Sequence, residues 1–196
     1  MLSGFERAEE LLLGSGYQKM ENLRVFLLTD EDAVRRIEFF GSEHDITADS
    51  FPRISFFIPA VNYHAAELFG DLCGIFPVLF ENDRQTFSVP LKYLTAGDME
   101  INDMIKSPDN DSRCNALITA ITRYALPFLE KAGSVRGFLD KFEEGGLPFD
   151  DRWIVYIISA YCLENETDKA ILTAEKFFGR IGLENLRQRI CTRISN

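Results

Sequence analysis

The chain has 196 residues, of which 46% are hydrophobic, and it carries a formal net charge of −10 at pH 7 with a sequence pI of about 4.7. This surplus of carboxylates argues against nucleic acid as a partner, because phosphate binding needs clustered Lys and Arg side chains, and it disfavours an anionic membrane surface for the same reason. A chain of this length buries enough surface to fold without disulfide or metal staples, so we expect a single domain over residues 1–196.

The cysteines and the first residues of the chain indicate a cytoplasmic location. The cysteines are far apart and form no Cys-x-x-Cys pair, so they predict neither a disulfide framework nor a zinc knuckle. They are Cys73, Cys114, Cys162 and Cys191. Acidic side chains at Glu6, Glu9 and Glu10 are incompatible with a secretory signal peptide, and no apolar run is long enough to span a bilayer.

The chain is expected to begin with a helix and a β-hairpin. Apolar residues recur at helical spacing over residues 2–12, and Gly14-Ser15-Gly16 predicts the end of that helix. Residues 23–28 and 34–40 alternate as strand residues do. The short polar loop between them predicts that the two strands pair as a hairpin.

Residues 53–95 are expected to complete a sheet and cover it with a helix. A third strand is predicted over residues 53–59, because prolines bracket it as they bracket strand ends. Residues 61–72 show a helical apolar face, with Asn62 in place to cap its start. Residues 74–80 and 86–91 predict a second hairpin. The sheet is therefore expected to have four or five strands, mostly antiparallel.

The second half of the chain is expected to be helical. Residues 95–111 are polar and predict a long loop or a weak boundary. About five helices are predicted beyond it over residues 112–196, and Pro127 should kink the first of them. Their later starts are expected at Ser134, at Asp150 or Asp151, at Thr167 or Asp168, and near Leu183. Strands followed by helices predict an α+β fold, with residues 1–95 forming a helix plus sheet and residues 112–196 a helical sub-region.

One of these helices carries an unusually apolar stripe. The apolar face of the helix that starts at Asp150 or Asp151 is expected to pack either inside the protein or against a second copy. The residues of this face are Trp153, Ile154, Ile157, Ile158 and Tyr161.

No motif assigns a catalytic residue, a metal or a cofactor. Glu43-His44-Asp45 with Asp49 is the densest group of potential ligands, but its spacing matches no metal motif and a solvated loop explains it equally well. His64 has no nearby nucleophile in the sequence. Gly14-Ser15-Gly16 follows a helix, whereas a phosphate-binding loop precedes one. We therefore expect no metal and no cofactor.

The acidic run Asp30-Glu31-Asp32 is the candidate partner-binding site. These carboxylates fall at the tip of the predicted hairpin, where they would attract a basic protein and accelerate its association. Arg35 and Arg36 follow directly and can neutralise part of this charge. An ordinary solvated turn is the competing interpretation.

The order of elements and the acidic charge resemble those of small, uncharacterised cytosolic α+β domains of bacteria, some of which are immunity proteins of toxin systems. The resemblance covers about the first two-thirds of the chain, rests on layout and charge alone, and carries no site residues. It implies an acidic protein-interaction module that binds a basic protein partner.

Two alternative functions remain open from the sequence. The first is a small-ligand-binding protein or enzyme with a pocket between the sheet and the C-terminal helices. Aromatic residues available to line such a pocket are Phe56, Phe57, Tyr93 and Trp153. The second is an oligomeric scaffold that assembles through the C-terminal helices. The sequence decides neither the oligomeric state nor the strand order.

Overall fold

A computed structural model of the protein describes residues 3–21, 23–40, 51–70, 85–145, 147, 153–180, 182 and 184–195. The described residues form an N-terminal helix, a five-stranded antiparallel sheet and a helical C-terminal segment, which confirms the predicted α+β fold. In chain order the elements are α1 (Gly4–Gly14), β1 (Gln18–Lys19), β2 (Val25–Thr29), β3 (Val34–Glu38), β4 (Arg53–Phe57), α2 (Pro59–Phe69), β5 (Phe87–Pro90), α3 (Met99–Lys106), α4 (Asn110–Ala120), α5 (Leu126–Ala132), α6 (Val135–Glu143), α7 (Ile154–Leu163), α8 (Thr167–Arg180) and α9 (Glu184–Ile194).

The chain forms two compact units. Unit 1 comprises Met1–Phe56 and Ser88–Lys131, and unit 2 comprises Phe57–Phe87 and Ala132–Asn196. Apart from single terminal residues of β4, β5 and α5, unit 1 holds α1, the sheet and α3–α5, whereas unit 2 holds α2 and α6–α9. A compact unit is not the same as an independently folding domain, so the single domain expected from the sequence stays a prediction.

Helix α1 ends where the sequence predicts, and a capping box defines its start. The Ser3 hydroxyl accepts a hydrogen bond from the N–H of Glu6, and the Glu6 carboxylate accepts one from the N–H of Ser3 at 2.6 Å, which completes a capping box. Gly16 follows the helix with φ of 87°, a left-handed conformation that glycine adopts without steric cost.

The strands of the sheet follow one another in chain order, β1-β2-β3-β4-β5. The predicted hairpin is β2 with β3, which pair antiparallel with Thr29 opposite Val34. Phe26 and Ile37 are fully buried in this hairpin, and the rings of Phe5 and Phe39 pack against Phe26. Strand β1 was not predicted, since two residues are too few to show alternation.

The predicted loop over residues 95–111 is wrong, because the segment contains helix α3. The Asp98 side chain caps this helix by accepting a hydrogen bond from the N–H of Ile101 at 3.1 Å. Asp98 also accepts a hydrogen bond from the Tyr124 hydroxyl at 2.7 Å. Burial of Ile101 and these two hydrogen bonds hold a polar segment in a helix that its composition does not suggest.

The predicted cap at Asn62 is wrong, whereas the distortion predicted at Pro127 is confirmed. Helix α2 begins at Pro59, whose fixed φ suits the first helical position, so Asn62 lies inside the helix and is not its cap. Asn62 is buried and accepts a hydrogen bond from the Thr86 hydroxyl. The distortion expected at Pro127 is present, because a π-helical segment, Ile121–Ala125, separates α4 from the helix that contains this proline.

Helix α7 forms the centre of unit 2 and contacts α2, α6 and α8. The residues of the predicted apolar face are buried, and so is every other residue from Ile154 to Tyr161. A helix that is apolar all round, as this one is, packs as a central core element.

The predicted cap at Ser134 is confirmed, since its hydroxyl accepts a hydrogen bond from the N–H of Gly137 at 3.1 Å.

Several predictions fall outside the described residues. They concern the ligand group of residues 43–49, the hairpin arm of residues 74–80, the helix start at residue 150 or 151, and Cys73. No helix in the described part of the chain combines the length and apolar composition that a bilayer crossing requires.

Candidate functional site

The predicted partner-binding residues lie at the turn between β2 and β3, where they have different roles. One Asp30 oxygen accepts hydrogen bonds from the N–H groups of Asp32 and Ala33 at 3.0 and 2.9 Å, and the other pairs with Arg35. Burial raises the pKa of Asp30, but the hydrogen bonds from Arg35, Ala33 and Asp32 lower it on balance. Asp30 therefore stabilises the turn, whereas the side chains of Glu31 and Asp32 are exposed to solvent.

The two arginines after the turn are also committed to pairs within unit 1. Arg35 is only 9% exposed, and its Nε donates a hydrogen bond to the carbonyl oxygen of Leu129 at 2.9 Å. Arg36 pairs instead with Glu38 at 2.9 Å. Arg35 thus neutralises Asp30, as the sequence suggested, while Arg36 pairs with a residue outside the acidic run.

A cleft in unit 2, formed by α6, α7 and α8, is the strongest candidate for a functional site. Its volume is about 690 Å³, within the range of about 300–1,000 Å³ that is usual for small-molecule sites. It is lined by Phe142, Glu143, Ile154, Tyr161, Lys169, Leu172, Thr173, Lys176, Phe177 and Arg180. We refer to it below as the unit-2 cleft.

The walls of the unit-2 cleft are apolar and largely aromatic. Ile154, Tyr161 and Phe177 are almost fully buried, so their positions are set by the packing of unit 2. The rings of Phe142 and Tyr161 meet edge to face with their centroids 6.5 Å apart. Leu172 is 48% exposed, which leaves an apolar side chain accessible beside these rings.

An ion-pair network closes one end of the unit-2 cleft. Lys169 Nζ lies 2.7 Å from Glu143 Oε1 and 2.6 Å from Glu166 Oε2. Arg136 forms salt bridges with the same two carboxylates. The hydrogen bond from Lys169 lowers the pKa of Glu143, and the carboxylates raise the pKa of Lys169. Burial raises the pKa of Tyr161 to about 12, helped by the charge of Glu143.

The other end of the unit-2 cleft is cationic. Lys176 is exposed and makes no salt bridge within the part of the chain that the structure describes. The Arg180 guanidinium lies over the ring of Phe177, with its carbon 5.6 Å from the ring centroid. Residues 169–193 contain six Lys and Arg side chains against two Glu, and of these cations Lys169, Lys176 and Arg180 line the cleft. This local basic excess was visible in the sequence and was missed because the net charge of the whole chain is negative.

The other residues considered from the sequence do not meet at this cleft. His64 is half-buried on α2, and burial lowers its pKa. Burial also raises the pKa of Cys162 to about 11, which disfavours a reactive thiolate. Among the proposed aromatic lining residues, Phe56 and Trp153 are buried, Tyr93 is 58% exposed, and none lines the unit-2 cleft.

Neither the positions of potential metal ligands nor comparison with known proteins assigns a function to the unit-2 cleft. No group of three or more His, Cys, Asp or Glu side chains within the described ranges is placed to hold a metal ion. Comparison of the chain with protein-family models, with curated proteins and with solved structures finds no match. The unit-2 cleft is therefore characterised by its own geometry: aromatic walls, one neutralised end and one cationic end.

Proposed function

We propose that this protein is a non-catalytic binding protein whose unit-2 cleft takes a small amphipathic anion, an apolar body that carries a carboxylate or phosphate group. One observation carries the proposal. Lys176 and Arg180 stand at the edge of a cleft with aromatic walls, in a chain whose net charge is −10.

The apolar body of the ligand would lie against the aromatic walls. Burial of apolar surface contributes roughly 25 cal/mol per Å², so contact with Phe142, Leu172 and Phe177 supplies most of the affinity. The walls are held in place by the core, so little conformational entropy is lost when the ligand binds.

The anionic group of the ligand would lie at the cationic end. Charges more than about 8–10 Å apart in solvent are largely screened at physiological ionic strength, so an anion at this end senses Lys176 and Arg180 more than the distant carboxylates. The carboxylate of Glu143 lies at the opposite end and is paired with Lys169. An anion is therefore attracted in one orientation only.

The titratable groups of the cleft support binding more than proton transfer. A general acid or base works best with a pKa close to the operating pH. Glu143 has a lowered pKa, Lys169 has a raised pKa, and the pKa of Tyr161 is about 12, so each keeps one protonation state near neutral pH.

The test is calorimetric titration of the full chain with decanoate, and with decanol and decyltrimethylammonium as matched probes. We expect decanoate to bind best. In the double variant Lys176→Gln with Arg180→Gln, decanoate binding should weaken at least tenfold, because even one hydrogen bond to a charged group contributes about 1.5–3 kcal/mol. Binding of decanol should be unchanged.

Lys131→Gln is the matched control, since Lys131 is an exposed lysine of unit 1. Equal binding of decanoate and decyltrimethylammonium, or an equal loss of decanoate binding in the control, would contradict the proposal.

A second candidate function is the acidic protein-interaction module implied by the bacterial resemblance. The observation that favours it is that Asp30 holds the turn while the Glu31 and Asp32 carboxylates are exposed. A basic partner captured from lysate should elute at moderate salt. It should bind weakly to the double variant Glu31→Gln with Asp32→Asn, whose stability should change by less than about 0.5 kcal/mol. Capture of no basic protein, or equal capture by the variant, would refute this function.

A further inference from the structure

Unit 1 contains a second cleft, which has a different chemical character. Its volume is about 360 Å³, near the lower end of the range for small-molecule sites. It is lined by Ser15, Tyr17, Leu28, Asp30, Arg35, Leu126 and Glu130. We refer to it as the unit-1 cleft.

The guanidinium of Arg35 lines this cleft with part of its hydrogen-bonding capacity unused. Its Nε donates to Leu129 and its Nη1 pairs with Asp30, but its Nη2 makes no hydrogen bond to any residue that the structure describes. Arg35 is only 9% exposed. Nη2 is therefore available to an anionic acceptor in the cleft, with which it would form a charge-assisted hydrogen bond.

The hydroxyl of Tyr17 is a second polar group of the same kind. Tyr17 is 4% exposed, and its hydroxyl makes no hydrogen bond within the described ranges of the chain. Burial raises the pKa of Tyr17 to about 12, so the hydroxyl keeps its proton near neutral pH and can donate it to an acceptor. Arg35 and Tyr17 thus present unused donors to one cleft.

The same cleft also carries negative charge. The Asp30 carboxylate is shared with Arg35, whereas the exposed Glu130 carboxylate makes no salt bridge to any described residue. Two carboxylates beside one guanidinium would repel a simple anion, and a simple cation would leave the Arg35 and Tyr17 donors unsatisfied. A ligand that carries both charges satisfies both groups.

We propose that the unit-1 cleft binds a free amino acid in its zwitterionic form. The carboxylate of the amino acid accepts hydrogen bonds from Arg35 Nη2 and the Tyr17 hydroxyl, and its ammonium group lies against Glu130 and Asp30. Leu28 and Leu126 supply the apolar part of the lining, so the preferred side chain is apolar, as in leucine. The cleft volume suits one amino acid better than a peptide.

This inference is independent of the unit-2 cleft, because the two clefts share no residue and belong to different units. Failure of one proposal therefore leaves the other standing. The ligand classes also differ, since decanoate lacks the ammonium group.

The experiment is an NMR titration of the full ¹⁵N-labelled chain with L-leucine, 4-methylpentanoate and 3-methylbutylamine. The last two probes each keep one of the charges of leucine. We expect saturable shifts with leucine at the amides of residues 15–17, 28–35, 126 and 128–130, and at least tenfold weaker binding of each single-charge probe. Absence of saturation with leucine up to about 10 mM, or shifts confined to other residues, would overturn the proposal.

Two variants test the proposed ligand contacts without removing a hydrogen bond or salt bridge between described residues. Tyr17→Phe deletes a hydroxyl that has no described partner, and Glu130→Gln neutralises an exposed carboxylate, so both variants should unfold at the wild-type temperature. Each should weaken leucine binding about five- to tenfold, whereas the exposed Glu10→Gln control should not. Wild-type affinity in both variants would refute the assigned contacts. If a variant is unstable, the shift map of the wild-type chain still decides.

Discussion

The clefts of units 1 and 2 contain opposite arrangements of charge in the same acidic chain. In unit 2, Lys169 and Arg136 pair with Glu143 and Glu166, and Lys176 and Arg180 line the other end of an aromatic cleft. In unit 1 the cation, Arg35, is buried, and carboxylates lie beside it.

The difference shows that net charge predicts the local field poorly. A chain with ten more acidic than basic residues can still present a positive end to a ligand, because packing decides which carboxylates are neutralised. Three predictions test whether the two clefts differ in this way.

The largest expected effect is on the buried cation of unit 1. Arg35→Leu leaves the Leu129 carbonyl and the Asp30 carboxylate without their partner, so we expect a loss of about 2–3 kcal/mol in the free energy of unfolding. Arg36→Leu is the comparison, because the Arg36 side chain is 23% exposed against 11% for Arg35, so its loss should cost about 1 kcal/mol or less. Urea denaturation measures both. Equal losses would show that Arg35 has no special role in unit 1.

A smaller effect is expected at alkaline pH, where each cleft contains a tyrosine whose pKa is raised to about 12. Burial is the main cause for both Tyr17 and Tyr161. Because these folded-state values lie above the ordinary value of 10.0, the stabilising contribution is complete below pH 10 and is lost as pH rises from 10 through about 12.

For Tyr17 the expected loss is about 1–2 kcal/mol, after allowance for partial solvent screening. Phenolate absorbance at increasing pH should show late-titrating groups besides Tyr124, whose hydrogen bond to Asp98 also raises its pKa, and Tyr17→Phe and Tyr161→Phe should each remove one of them. Titration of both tyrosines at the ordinary value would mean that neither cleft is as buried as the structure shows.

The smallest effect concerns the neutralised end of the unit-2 cleft. Glu143→Gln releases Lys169 and Arg136 from one carboxylate and makes the cleft more positive, so decanoate should bind about threefold more tightly. Glu144→Gln is the control, since Glu144 pairs with Lys141 and does not line the cleft. Calorimetry compares the two variants. Weaker binding to Glu143→Gln would show that its carboxylate holds the ligand or the cleft wall.

Helix ends and the hairpin could be predicted from the sequence because their signals are local. The Gly16 position, the Ser134 cap and the β2–β3 pairing all depend on residues within a few positions of one another. Helix α3 could not be predicted in the same way. In the sequence, Asp98 is typical of a turn. The helix that it caps depends on the burial of Ile101 and on a hydrogen bond from Tyr124, which is 26 residues away in the chain.

The candidate sites, too, could be predicted from the sequence only in their local features. The run Asp30-Glu31-Asp32 was identifiable by charge. Asp30 differs from its two neighbours because it pairs with Arg35, which also bonds to Leu129, 94 residues away in the chain. The basic excess of residues 169–193 could have been read from the sequence. Its position beside aromatic walls could not.

The sequence by itself determined the α+β class, the hairpin, most of the helix positions and the acidic character of the chain, because periodicity, caps and composition are properties of neighbouring residues. Only the tertiary structure decided which charges are paired and which face a cleft. Phe142, Tyr161 and Lys176 lie on three different helices, and they meet only because α6 and α8 both pack against the buried helix α7. Long-range packing of this kind depends on the shapes of all the core side chains together, which no local pattern contains.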